Sequence, residues 1–156
     1  MNLFTLTEDK CIEALPVSCE AVVKVLRVID GDTIKIGFFC DGIAQKISVR
    51  CVGYNAPEMN SRDPVEKTYA LESKLKLQQL CEGKLITLKT VTPDKYGGRV
   101  LADASCGDEV PSICDYMLQF PNLARIYTGH KKKEWKFEDP PNWQEQMLTK
   151  LFPRKK

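Results

Sequence analysis

From Glu20 onward the chain alternates apolar and polar residues in three short runs. Val23, Val25 and Ile29 mark the first, Ile34, Ile36 and Phe38 the second, and Ile47, Val49 and Cys51 the third. A period of two puts one set of side chains on each face of a sheet, so each run predicts a half-buried strand. Asp30-Gly31-Asp32 separates the first two runs and Asp41-Gly42 the next two. Asp-Gly between alternating runs favours a tight hairpin, and an antiparallel three-stranded meander follows.

The period then changes. Asp63 is placed to cap a helix, Pro64 suits its first position, and Glu66 completes a capping box. Leu71, Leu75, Leu77 and Leu80 give that helix a wide apolar face, and Gly83 ends it. Alternation returns at Leu85–Val91 and Arg99–Ala104, joined by the turn-rich Pro93-Asp94-Lys95-Tyr96-Gly97-Gly98. A second helix is expected near Pro111, with Ile113, Tyr116, Met117 and Phe120 at helical spacing. A third is expected from Asn142, with Glu145 as box partner and Trp143, Met147 and Leu151 facing inward. Residues 1–19 show no period and are expected to form a loosely packed lead-in. Three strands, a helix and two strands is the order of the oligonucleotide-binding (OB) fold. The expectation is therefore an α+β domain spanning 1–156, a five-stranded Greek-key barrel with about three helices. Its core covers about 20–130, and 131–156 supplies a C-terminal helix and basic tail.

Composition narrows the chemistry. With 156 residues, 43% hydrophobic and 28% charged, the chain has the make-up of a single soluble globule. No apolar run nears the ~20 residues that cross a bilayer, and the first residues lack the basic start and apolar stretch of a signal peptide. Seven cysteines are present, no two of them two or three residues apart, which argues against a zinc knuckle or a redox pair. Free thiols in a reducing, intracellular compartment are expected, with Cys51 a small buried hydrophobe. His130 is the only histidine, which disfavours a zinc catalyst or a serine-protease-like triad. Chemistry is left to carboxylates, arginines and a hard metal ion. The net charge of +2 is uneven: residues from Lys131 onward carry eight Lys/Arg against four Asp/Glu. That basic tail could meet a polyanion, or simply keep the protein soluble.

Taken singly, the candidate residues have plain readings. Asp30-Gly31-Asp32 is a turn, Ala56-Pro57-Glu58 a strand exit, and Arg50 and Arg99 are outward-facing strand residues. Their co-occurrence is more telling. Two carboxylates leave one hairpin, a third leaves a nearby strand, and a closed sheet would bring the two arginines together. The blocks Val28-Ile29-Asp30-Gly31-Asp32-Thr33, Val49–Glu58, Asp94–Ala102 and Leu123-Ala124-Arg125-Ile126-Tyr127 resemble the staphylococcal-nuclease-like thermonucleases, over roughly two thirds of the chain. The stretch Tyr127–Lys133 looks more like the intracellular homologues of large DNA viruses, which would place the protein inside a host cell.

The resemblance implies specific roles. Asp32 would bind one Ca²⁺ directly, or Mg²⁺ or Mn²⁺ in its place, and Asp30 would act on that ion from behind. Asn55 stands where the family usually has a second carboxylate ligand, and the Ala56 carbonyl would complete the protein donors. Glu58 would activate the attacking water, Arg50 and Arg99 would grip the phosphate, and Lys95, Tyr96 and Tyr127 would hold the nucleotide. Two departures stand out: Gly97-Gly98 is one residue longer than the usual loop, and Asn55 contributes no charge. The expected function is a sugar-nonspecific, metal-dependent nuclease acting on accessible or single-stranded DNA and/or RNA, with no membrane partner. The alternatives are an OB-type nucleic-acid-binding module with weak or no turnover, and a protein-interaction barrel.

Overall fold

The computed structural model describes residues 2–13, 21–95, 97–129, 135 and 137. Its strands are β1 (Ile12–Glu13), β2 (Ala21–Asp30), β3 (Thr33–Cys40), β4 (Ile43–Cys51), β5 (Tyr54–Asn55), β6 (Leu85–Pro93), β7 (Arg99–Ser105) and β8 (Arg125–Ile126). The helices are α1 (Pro64–Cys81) and α2 (Ile113–Met117). The antiparallel meander β2-β3-β4 forms as expected. After α1, β6 returns antiparallel to the free side of β2, and β7 pairs antiparallel with β6. β7 then pairs in parallel with the end of β4, which closes β4-β3-β2-β6-β7 into a five-strand hydrogen-bonded ring. β1 adds to the edge of β4 in parallel, so the sheet is mixed and the class is α+β.

Alternation fills the ring. Val23, Val25, Val28, Ile34, Ile36, Ile47, Val49, Cys51, Ile86, Leu88, Val100, Ala102 and Ala104 all lie in one buried cluster. Leu77 and Cys81 of α1, with Ile113 and Met117 of α2, join the same cluster. Each large side chain taken from water contributes about 1.5–3 kcal/mol, so this core dominates the stability of the fold.

The two hairpins differ in their turns. Asp41 and Gly42 both take positive φ, 50° and 77°, between paired Cys40 and Ile43, as a primed two-residue turn requires. In the first hairpin Asp30 is itself the last paired residue, opposite Thr33, and the turn is Gly31-Asp32. β2 also breaks the expected phase. Its pairing with β3 shifts once between Val25 and Arg27 and again between Val28 and Asp30, so Leu26 and Ile29 are bulge residues. Val28, rather than Ile29, is consequently the buried partner of Val23 and Val25. Each bulge turns a charged residue outward: first Arg27, then Asp30.

The helix expected after Asp63 is present, with two corrections. Asp63 accepts from the Val65 amide at 3.0 Å, but its own N–H donates to Ser61 Oγ, so Ser61 takes the place expected of Glu66. The inward face is Tyr69, Ala70, Ser73, Leu77 and Cys81, at steps of three and four, whereas Leu71 is exposed and Leu75 and Leu80 are half-buried. Tyr69 and Cys81 fill the apolar stripe that leucines alone were expected to fill. The second helix begins at Ser112, whose hydroxyl accepts from the Asp115 amide. The expected helix from Asn142 lies outside the described residues. The lead-in is not loose where it is described: Leu6 and Cys11 are buried, Leu6 over Gly37 of β3.

Candidate active site

The outward face of the ring near the Gly31-Asp32 turn collects most of the candidate residues. Arg50, between inward Val49 and Cys51, points outward, and its Cα partners are Thr33 on β3 and Leu101 on β7. Thr33 in turn pairs with Asp30. Next to this row runs a second one: Arg99 pairs with Ser48, Ser48 with Lys35, and Lys35 with Arg27. Arg99 is therefore one strand over and two residues along from Arg50, on the same face. Inward Val100, Ala102 and Ala104 fix this phase, whatever the length of the loop before it. Gly97 and Gly98 both have φ 74° with open space around them.

Chain geometry then folds the strand exit back onto the turn. Beyond Gly53 (φ 90°), β5 pairs with β8, Asn55 opposite Arg125. The Tyr54 hydroxyl donates to the Gly31 carbonyl at 2.8 Å, and the Ala56 amide donates to Asp32 Oδ2 at 2.9 Å. Gly31 is packed so closely on α1 that an added Cβ would lie 2.1 Å from Ser73 Oγ. Ser73 cannot readily give way, because its hydroxyl donates to the Leu123 carbonyl. The turn is thus held on three sides.

Arg50 and Asp32 are the electrostatic centre. Both are buried, and Arg50 Nη2 lies 3.3 Å from Asp32 Oδ2. The guanidinium also donates through Nη1 to the carbonyls of Cys51 and Tyr54, and through Nη2 to Asn55 Oδ1 at 3.2 Å. Asp32 Oδ1 accepts from the Thr33 hydroxyl. Asp30 Oδ1 accepts from the Asp32 amide. Burial first, and the neighbouring Asp32 second, push the Asp30 carboxyl up to about 7. Tyr127 stacks beneath Arg50, 5.8 Å from ring centroid to guanidinium carbon, with its amide bonded to the Gly53 carbonyl.

Asp30, Asp32, Arg50, Asn55, Ala56 and Tyr127 are therefore brought together. Arg99 stands beside them, tied by Nε to Asp94 Oδ2 at the base of the 94–99 loop. Glu58 is exposed, three residues beyond Asn55 on the segment that leaves β5. Lys95 is exposed in the loop after β6, and Tyr96 lies outside the described residues. Sequence reasoning missed Tyr54, Asp94 and Ser73, which position the site without doing chemistry. The placement of Tyr54 next to Asn55 and of Asp94 five residues before Arg99 could have signalled two of them, while nothing in the sequence around Ser73 marks it.

The donors on offer are two carboxylates, an amide oxygen and a backbone carbonyl. An all-oxygen set suits a hard cation such as Ca²⁺ or Mg²⁺ and has nothing for a soft one. Among the described residues no three His, Cys, Asp or Glu side chains are grouped to hold a metal ion, so an ion here would depend on Asn55 and the Ala56 carbonyl as well as the two aspartates. No protein-family model matches the chain, and no curated protein matches it.

Proposed function

We propose that this protein is a metal-dependent, sugar-nonspecific nuclease and that its five-strand ring is an OB-type Greek-key barrel of the thermonuclease kind. One observation carries the reading: Asp32, Arg50 and Asn55 converge in a single buried, hydrogen-bonded cluster on the outer face, with Arg99 one row away. Phosphodiester hydrolysis needs charge neutralised on a phosphate and a water aimed at phosphorus. Asp32, Asn55 and the Ala56 carbonyl would hold one Ca²⁺, with Asp30 behind; when bound, the ion would supply Lewis acidity. Arg50 and Arg99 would bind phosphate oxygens through their planar guanidiniums, as paired donors do well. Glu58, on the exposed segment after Asn55, would take the proton from water. Tyr127, with Lys95 and Tyr96 from the sequence between β6 and β7, would hold the nucleotide, the tyrosines offering stacking surfaces for unpaired bases. The free thiols of Cys11, Cys40, Cys51, Cys81, Cys106 and Cys114 support a reducing, intracellular setting. The resemblance of Tyr127–Lys133 to the intracellular homologues of large DNA viruses agrees with that setting.

A second reading has one observation in its favour. Arg50 already balances the Asp32 charge, and Asn55 adds none, so a nucleic-acid-binding module without turnover would need no ion. Incubating single-stranded DNA with the protein in Ca²⁺ and then in chelator separates the two. The nuclease reading expects cleavage that chelator abolishes. Binding without cleavage would replace it by the module, and neither binding nor cleavage would favour the protein-interaction barrel.

A further inference from the structure

The outer face carries a second feature that the proposed chemistry does not use. Beyond the row Arg99–Ser48–Lys35–Arg27, the next row is Lys46–Gly37–Lys24. Adjacent strands lie about 4.8 Å apart, so these cations form one basic track running away from Arg50 and Arg99. The N-terminal segment lies across it. Leu6 sits over Gly37, where an added Cβ would meet Leu6 Cδ2 at 2.8 Å, so the glycine forms the notch that seats it. Lys24 Nζ donates to the Phe4 and Leu6 carbonyls. Glu8 Oε2 accepts from Arg27 Nε at 2.9 Å, and Glu8 Oε1 lies 4.0 Å from Lys46 Nζ. Glu13 Oε1 lies 3.6 Å from Lys35 Nζ and 3.8 Å from Lys46 Nζ. Glu13 also belongs to β1, which aligns it directly opposite Lys46.

We propose that residues 2–13 form an acidic strap whose Glu8 and Glu13 occupy phosphate positions on the basic track of Arg27, Lys35 and Lys46, and that a nucleic-acid strand displaces these two carboxylates. The proposal rests on the nucleic-acid reading above and deepens it by giving the strand a path away from the cluster. Two features support it. The strap's acidic side chains pair with Arg27, Lys35 and Lys46, while its apolar anchor, the Leu6 side chain seated over Gly37, uses none of these three. The pairs are also partly exposed, so they are weak, salt-screened and able to yield to a polyanion that offers several phosphates at once. The strap would stay attached through Leu6 while its carboxylates swing off.

The test is fluorescence anisotropy of a labelled oligothymidine about 16 nucleotides long, in chelator so that nothing is cut. Glu8→Gln with Glu13→Gln frees the track without removing the anchor. Asp108→Asn with Glu109→Gln makes the same change in net charge at an exposed loop between β7 and α2. At about 50 mM salt the strap variant should bind at least about fivefold tighter than wild type, with a steeper fall by about 200 mM, and the control should not. Adding Lys35→Gln and Lys46→Gln to the strap variant should remove the gain. A strap variant that binds no tighter than the control, or a gain that survives loss of both lysines, overturns the strap and leaves the nucleic-acid reading standing. Failure of the wild type and every variant to bind overturns both. Thermal midpoints of all four proteins show that each is folded when measured.

Discussion

Gly31 shows how much of the site depends on one small residue. Its backbone approaches α1 closely enough that a methyl group would meet Ser73 Oγ at 2.1 Å and Ala56 Cβ at 2.7 Å. Gly31→Ala should therefore destabilise the protein by about 1–3 kcal/mol, read as a fall in the urea midpoint with little change in slope. An unchanged midpoint would mean that turn and helix are not pressed together as described. Arg50 is a poor probe of chemistry for a related reason. Its removal would strand buried Asp32 and expose two carbonyls, at a cost of about 3–5 kcal/mol. Glu58, being exposed, is cleaner, and so is Arg99, which is half-exposed and bonds one buried carboxylate, Asp94, but no buried carbonyls. Arg99→Ala and Glu58→Gln should each lower turnover by ~10²-fold or more with the fold intact, since the proposed mechanism has both act on charge that develops in the transition state. Near-normal turnover from either purified variant would remove that residue from the mechanism.

At the scale of elements, strand order, both hairpins and the α1 boundaries are legible because each rests on local signals: alternation, Asp-Gly, a cap and a proline. The bulges in β2 are not, since a period-two reading assumes an unbroken phase. Their one trace is Arg27, which falls in phase with Val23 and Val25, where a charge could not be buried without a partner. The helix face departs from a count of leucines because Tyr69, Ser73, Leu77 and Cys81 recur every fourth residue and carry the buried stripe. The loop after β6 is a case where local reasoning holds, since Val100, Ala102 and Ala104 dictate which way Arg99 faces. Deleting Gly98 should accordingly leave β7 in register and shift stability by less than about 1 kcal/mol, because loop entropy changes slowly with length. A large drop in thermal midpoint would show that the added glycine is needed to reach the Asp94–Arg99 pairing.

Across the whole molecule, convergence is what a linear reading could not supply. That Asn55 meets Arg50, that Arg99, Ser48, Lys35 and Arg27 form one row, and that Glu8 and Glu13 lie on it all depend on ring closure and register. The thiols test the packing of this whole. Burial pushes Cys51 up to about 12 and Cys81 higher still, while Cys40 is exposed at the β3–β4 turn. In the native protein a thiol reagent should modify Cys40 quickly and leave Cys51 and Cys81 untouched until denaturant is added. The sign also predicts alkaline weakening. A thiol with its folded pKa raised above the ordinary 9 favours the folded state less and less as pH climbs from about 9 toward 12. Fast native labelling of Cys51 would contradict the core as drawn.

The proposal that the Asp32–Asn55 end of the ring holds a hard cation for phosphodiester hydrolysis is decided by calorimetric titration with Ca²⁺. Wild type should bind one ion, weakly, because Asn55 offers an oxygen without charge. Asn55→Asp restores that charge at nearly constant size and should bind tighter, with cleavage at lower calcium, while Asp32→Asn should abolish binding. Equal calcium affinity in all three proteins would contradict the account, since neither Asn55 nor Asp32 would then be a ligand.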